Sequence, residues 1–145
     1  MTGTTITPYL FFGGSCEEAL DFYRKALGAE VEMLMRFDES PEPPPPGAVP
    51  AGYEKKIMHA SFRVRGVPLM ASDGCGNGSK FDGLRLALAV PTEECARRAF
   101  GALADGGSVQ MPLAKTFWSP CFGMVTDRFG LGWMVTVPGP TNSGC

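Results

Sequence analysis

His59 is the only histidine in the chain. It is the one side chain whose ordinary pKa, about 6.5, suits proton transfer near neutral pH. Alternation along an extended segment puts Ile57, His59, Ser61 and Arg63 on one face and Met58, Ala60, Phe62 and Val64 on the other. The second set is the better match for packing against helices, so His59 points away from them beside Ser61 and Arg63. There it could serve as base or acid. The competing reading is a hydrogen-bonded histidine that lines a cleft or a dimer contact, since no second catalytic partner is legible. Asp73, Cys75 and Lys115 are accessories without fixed positions.

Three other features could do chemistry, each with a plainer alternative. Cys16 falls at a helix amino terminus, which lowers a thiol pKa, yet it also lies on the apolar face, which favours a buried structural cysteine. Arg85 could hold a carboxylate or phosphate, or pair with an acid such as Asp73 or Asp127. Phe117 and Trp118 close a strand edge and could wall a planar ligand, or pack in a core or dimer contact.

The elements that must position these residues form two similar halves. ITPYLFF is a short strand ending at Gly13-Gly14. Ser15 with Glu18 three residues later predicts a capping box. Cys16, Ala19, Leu20, Tyr23, Ala26 and Leu27 then follow at helical spacing, and Gly28 stops the helix. In the second half LRLALAV is the strand, Thr92 the N-cap, and Ala96, Ala99, Phe100 and Leu103 the apolar face, with Gly106-Gly107 as the stop. Cap and face repeat at an offset of 77 residues and the stop at 78, which points to an internal duplication.

Extended segments follow each helix: VEMLMRF, KIMHASFRVRG and VPLMASD, then SVQMPLAKTFW, CFGMVTD and GWMVTVP. Each half thus reads strand, helix, three strands, an α+β plan. The expected divisions are one module over 5–73, a linker over 74–83, a second module over 84–138, and a Pro-rich surface loop over 39–52. That loop is a tolerated insertion, or a flap or partner contact.

Composition bounds the functions. Thirteen Lys and Arg against fifteen Asp and Glu give a net charge of −2 without a basic block, which argues against nucleic acid. No apolar run approaches the ~20 residues of a bilayer span, and the amino terminus lacks a signal-peptide pattern, so a cytoplasmic address is expected. Five cysteines without CxxC spacing are expected as five free thiols, not a zinc knuckle. Gly and Pro together supply 32 of 145 residues, too many for long helices, so short elements and many turns are expected.

The stretches PYLFF with Gly13-Gly14, ALDFYRKALGAE, MHASFRV, LMASD, KTFW, FGMVTDRFG and GWMVTV resemble, in order, the PhnB-like branch of the vicinal-oxygen-chelate superfamily. That superfamily includes glyoxalase I, extradiol dioxygenases and bleomycin-resistance proteins. The branch is often labelled 3-demethylubiquinone-9 3-methyltransferase-like. The resemblance implies two βαβββ modules with curved mixed sheets around a cleft, a small-molecule ligand and a homodimer, sometimes with exchanged modules. It also implies a cleft lined here by Pro8, Leu10, Phe12, Ser61, Arg63, Arg85, Trp118 and Met134.

The metal-using relatives hold one divalent ion with His, Glu or Gln on the first and last strands of each module. The matching positions here are Pro8, Arg85 and about Met134, with Leu69, Met70 and Ala71 on the remaining strand. These cannot hold a hard cation. No cofactor is expected, and a divalent metal would have room only at a non-standard site. A methyltransferase reading also fails, because Gly13-Gly14 is a bare pair without the GxGxxG pattern. The expectation is a metal-independent small-molecule binding protein. The alternative is a glyoxalase- or dioxygenase-like enzyme with a displaced metal or acid–base chemistry at His59.

Overall fold

The computed structural model describes residues 3–42, 45–74 and 80–138. Cys75 and Cys145 and residues 75–79 of the 74–83 linker lie outside the described residues, as do Pro43 and Pro44 of the Pro-rich loop. The chain divides into two compact units, Met1–Ser79 and Lys80–Cys145.

In the first unit, β1 (Tyr9–Phe11) leads to α1 (Cys16–Leu27), then β2 (Glu30–Arg36), β3 (Ile57–Val64) and β4 (Val67–Ser72). The sheet order is β1-β4-β3-β2, with β1 parallel to β4 and the other pairs antiparallel. The second unit repeats this with β5 (Leu86–Ala89), α2 (Glu93–Ala104), β6 (Ser108–Ala114), β7 (Cys121–Thr126) and β8 (Gly132–Val137). Its order, β5-β8-β7-β6, is the same. The expected α+β fold of two βαβββ modules is therefore present.

Each helix packs its apolar stripe on one face of its own sheet. In the first unit Tyr23 stacks on Phe62 with ring centres 6.5 Å apart, and Cys16, Ala19, Ala60 and Ala71 are fully buried. In the second, Phe100 comes so close to β7 that a Cβ on Gly123 would lie 2.8 Å from its ring. The β3–β4 hairpin turns on two residues, Arg65 (φ 53°) and Gly66 (φ 82°), the pair of positive φ angles that a tight hairpin of the right twist needs.

Three expectations are corrected. The Ser15–Glu18 capping box does not form, and Ser15 makes no side-chain cap bond. Asp73, just past β4, caps α1 instead. Its Oδ1 accepts from the N–H groups of Gly14 and Cys16 at 2.8 Å each, and its Oδ2 from Ile57 N–H at 2.7 Å. The Asp73 carboxylate, 1% exposed, thereby joins the start of α1, the start of β3 and the end of β4. Thr92, by contrast, caps α2 as expected, accepting from Cys95 N–H at 3.1 Å. Cys95 is disulfide-bonded, which corrects the expectation of five free thiols; Cys16 and Cys121 are free.

The third correction concerns which way β1 faces. Leu10 (4% exposed) and Phe12 (8%) are buried, with Phe12 6.2 Å from Tyr23 of the helix, whereas Tyr9 and Phe11 are exposed. The connection from strand to cap is one residue longer in the first unit: Phe11 to Ser15 against Ala89 to Thr92. The 77-residue offset that matches the helices therefore misaligns the strands by one, and a one-residue slip reverses every side chain.

Asp73→Ala should lower unfolding stability by about 3 kcal/mol, because three buried N–H groups lose a charged acceptor. Asp73→Asn should not restore it, since an amide turns an N–H toward an N–H. Urea unfolding of both variants checks this.

Cys16 is fully buried, and that burial, with Asp73 nearby, pushes its thiol far above the ordinary range. The folded protein keeps this proton while the unfolded chain loses it at about pH 8.5. Its contribution to stability is whole below that pH and declines as pH rises above it. Cys16→Ser should flatten that alkaline decline, and native-state alkylation read by mass spectrometry should leave Cys16 unmodified until the chain unfolds.

Candidate functional site

With the helix on one side of each sheet, the opposite side is where chemistry is accessible. In the first unit, cross-strand register places Tyr9, Met70, Ser61 and Met33 in one row across all four strands. Phe11 and Ser72 pair in the next row, while Met35 pairs with His59. The expected division of β3 holds from His59 onward: Ala60, Phe62 and Val64 are buried toward the helix, and His59 and Ser61 are half-buried on the open side, whereas Ile57, expected beside His59, is fully buried and Met58 half-buried.

Tyr9 and His59 form the centre of this face. The Tyr9 hydroxyl lies 2.7 Å from His59 Nδ1, with ring centres 5.5 Å apart, and Phe11 stacks beside Tyr9 at 5.0 Å. Partial burial raises the Tyr9 phenol above its ordinary pKa, so it holds its proton throughout the physiological range. With neutral imidazole, either ring tautomer completes the bond; with imidazolium, Nδ1–H donates to the phenol oxygen. In each case Nε2 is left to face a ligand. The pair could relay a proton, and the rings offer a stacking surface for a planar group.

The other expected site residues scatter. Leu10 and Phe12 belong to the core, and Pro8 precedes β1, where its carbonyl accepts from Met70 N–H at 2.9 Å. Arg63 is engaged by Glu32 (2.9 Å) and the Gly66 carbonyl (2.8 Å). In the second unit Met134 pairs with Ala87 and Met124 on the open side of its sheet. Arg85 donates to the carbonyls of Val125 and Trp133 and to Gln110, not to Asp73 or Asp127. Trp118, packed edge-on to Phe122 at 5.3 Å, and Phe117 wall a groove of about 550 Å³ with Pro91, Lys115 and Pro120.

Sequence reasoning missed Tyr9, Phe11 and Met70. The signal was present in PYLFF, where either alternate set is apolar, and only the loop length before Ser15 decides which set faces the helix.

The open-side residues on the first and last strands are Tyr9, Phe11, Met70 and Ser72 in one unit and Ala87, Ala89, Met134 and Thr136 in the other. None carries a carboxylate or imidazole, so these positions do not fit a hard divalent ion. Among the described residues no three His, Cys, Asp or Glu gather into a metal-binding group. The Gly13-Gly14 turn leads into α1, but Asp73 already occupies the N–H groups of Gly14 and Cys16 that an incoming phosphate would use.

A family model described as 3-demethylubiquinone-9 3-methyltransferase matches residues 4–136. Protein YjdN of Escherichia coli is 36% identical over 91% of this chain and 94% of its own length. A crystal structure of protein PA1353 from Pseudomonas aeruginosa superposes with a TM-score of 0.80 at 43% identity, covering 94% of this chain and 98% of that one. The putative 3-demethylubiquinone-9 3-methyltransferase, PhnB protein, from Bacillus cereus gives 0.77 at 30% identity, covering 92% and 99%. A glyoxylase/bleomycin resistance protein/dioxygenase domain from Frankia shares the fold, with a TM-score of 0.64 at 14% identity over 95% and 98% of the two chains. The chain belongs to the PhnB-like family that carries the 3-demethylubiquinone-9 3-methyltransferase description.

Proposed function

We propose that the chain is a metal-independent small-molecule binding protein whose ligand stacks on the open face of the first unit's sheet. The observation that carries this is the Tyr9–Phe11–His59 cluster: the Tyr9 ring contacts both Phe11 and His59, with Tyr9 37% and Phe11 47% exposed. Large apolar groups left in water without a partner mark a binding surface. The sulfur-bearing side chains of Met33 and Met70 in the adjoining row add a polarisable surface that adapts to flat ligands.

The reading further takes the chain to be a cytoplasmic homodimer that binds neither nucleic acid nor membrane. Its support is the net charge of −2, the lack of any described helix long and apolar enough to cross a bilayer, and the open apolar side chains of Tyr9 and Met111 on the two sheets. Methyl transfer is not part of the reading, because the helix terminus a cofactor phosphate or carboxylate would approach is closed by Asp73.

A second reading, acid–base catalysis, is favoured by the 2.7 Å contact between Tyr9 and His59 Nδ1. The two separate in one experiment. A calorimetric and thermal-shift screen of aromatic and glycopeptide compounds should find a ligand that binds equally with and without EDTA. Tyr9→Ala should weaken it by about tenfold, the ~1.4 kcal/mol of one lost aromatic contact. His59→Ala should weaken binding less and leave nothing else changed. If no compound binds, the binding reading falls. If a bound compound is turned over and His59→Ala abolishes turnover while binding persists, the enzyme reading replaces it.

A further inference from the structure

The open face of the second unit's sheet carries a cation that the fold immobilises without neutralising. Arg85, immediately before β5, donates from Nη1 to the carbonyls of Val125 (3.1 Å) and Trp133 (3.4 Å), and from Nη2 to Gln110 Oε1 (3.3 Å). Gln110 is itself fixed, accepting from the Thr126 hydroxyl at 2.9 Å and donating to Ser108 Oγ at 3.0 Å. Gly132 makes room for this arrangement, since a Cβ there would stand 2.9 Å from both Arg85 Cγ and Nη1. Arg85 forms no ion pair among the described residues. Asp127, a candidate acid partner, instead accepts from Trp133 Nε1 and the N–H groups of Phe129 and Leu131.

A guanidinium has five N–H donors, and three are accounted for by these bonds. The Nε–H and one Nη2–H remain, enough for a two-pronged grip on an oxyanion. A half-buried charge held only by dipoles gains most from an anion that supplies the missing counter-charge. Beside it, the next row of the same face is apolar: Ala87, Met134, Met124 and Met111 are paired across the four strands.

We propose that Arg85, positioned by Gln110 and Gly132, is the receptor for the carboxylate or phosphonate head of an amphiphilic small ligand whose apolar body lies along that methionine row. This goes beyond the small-molecule reading, whose ligand lies on the first unit. The anion site itself is tested independently.

With arginine side chains labelled in nitrogen-15, the Arg85 Nε–Hε resonance is followed while phenylphosphonate, benzoate or inorganic phosphate is added. The expected result is a saturable shift with phenylphosphonate or benzoate, the stronger of the two identifying the head group, and at least tenfold weaker binding of inorganic phosphate. R85Q and R85K should each weaken calorimetric binding at least tenfold, with R63Q unchanged. G132A, which keeps the charge but displaces the guanidinium, should also weaken it. A non-saturating shift shared with Arg63, or wild-type affinity in R85Q and R85K, overturns the proposal. Phenylphosphonate or benzoate binding at Tyr9 while Arg85 stays silent would overturn this site and leave the binding reading standing. Saturation at Arg85 with no compound of the screen binding at Tyr9 would do the reverse.

Discussion

The carboxylate of Asp73 is the junction on which the first unit depends. It is buried, it accepts three backbone N–H groups, and those groups belong to the start of α1, its preceding glycine turn and the start of β3. A charged acceptor in that place satisfies the helix terminus from inside the protein. It therefore anchors the start of the helix, and the length of the loop from Phe11 to Ser15 then sets which alternate residues of β1 the helix covers. The exposure of Tyr9 and Phe11, and the meeting of Tyr9 with His59, follow from that placement. The same carboxylate closes the Gly13-Gly14 turn and, adding to the effect of burial, holds the Cys16 thiol above its ordinary range.

The two units solve one packing problem with different chemistry on the uncovered side. Both lay a twelve-residue helix on a four-stranded sheet of identical order. In the first, the open face gathers rings around a histidine; in the second, it gathers methionines beside a fixed arginine. Close packing constrains the inward face of each unit, whereas the outward faces carry different side chains. Tyr9 and Met70 in the first unit, and Ala87 and Met134 in the second, lie on that outward face.

Much of the fold was legible because its signals are local. Gly28 and Gly66 act through their own backbone, Thr92 caps through a hydroxyl three residues from its donor, and the helical stripe from Cys16 to Leu27 needs no partner to be recognised. The site was less legible because its determinants are distant in sequence. Asp73 caps a helix 57 residues earlier, and nothing near Ser15 announces it. PYLFF is apolar on both alternate sets, so its burial pattern is decided by loop length alone. Arg85 finds its partners at Gln110, Val125 and Trp133, contacts that only sheet register creates. His59, by contrast, was placed correctly toward the open side because β3 has one clearly apolar face.

The central claim is that the open face of the first unit's sheet takes a ligand without a metal. Methyl-labelled methionine spectra test it most directly, because Met33, Met35 and Met70 report on that face and the chain has eight methionines in all to serve as internal controls. Metal-stripped protein is titrated with a ligand from the aromatic screen and the titration repeated with added Mn²⁺. The account predicts saturable shifts at Met33 and Met70 with the same affinity in both titrations. Shifts that arise only after the metal is added would contradict it.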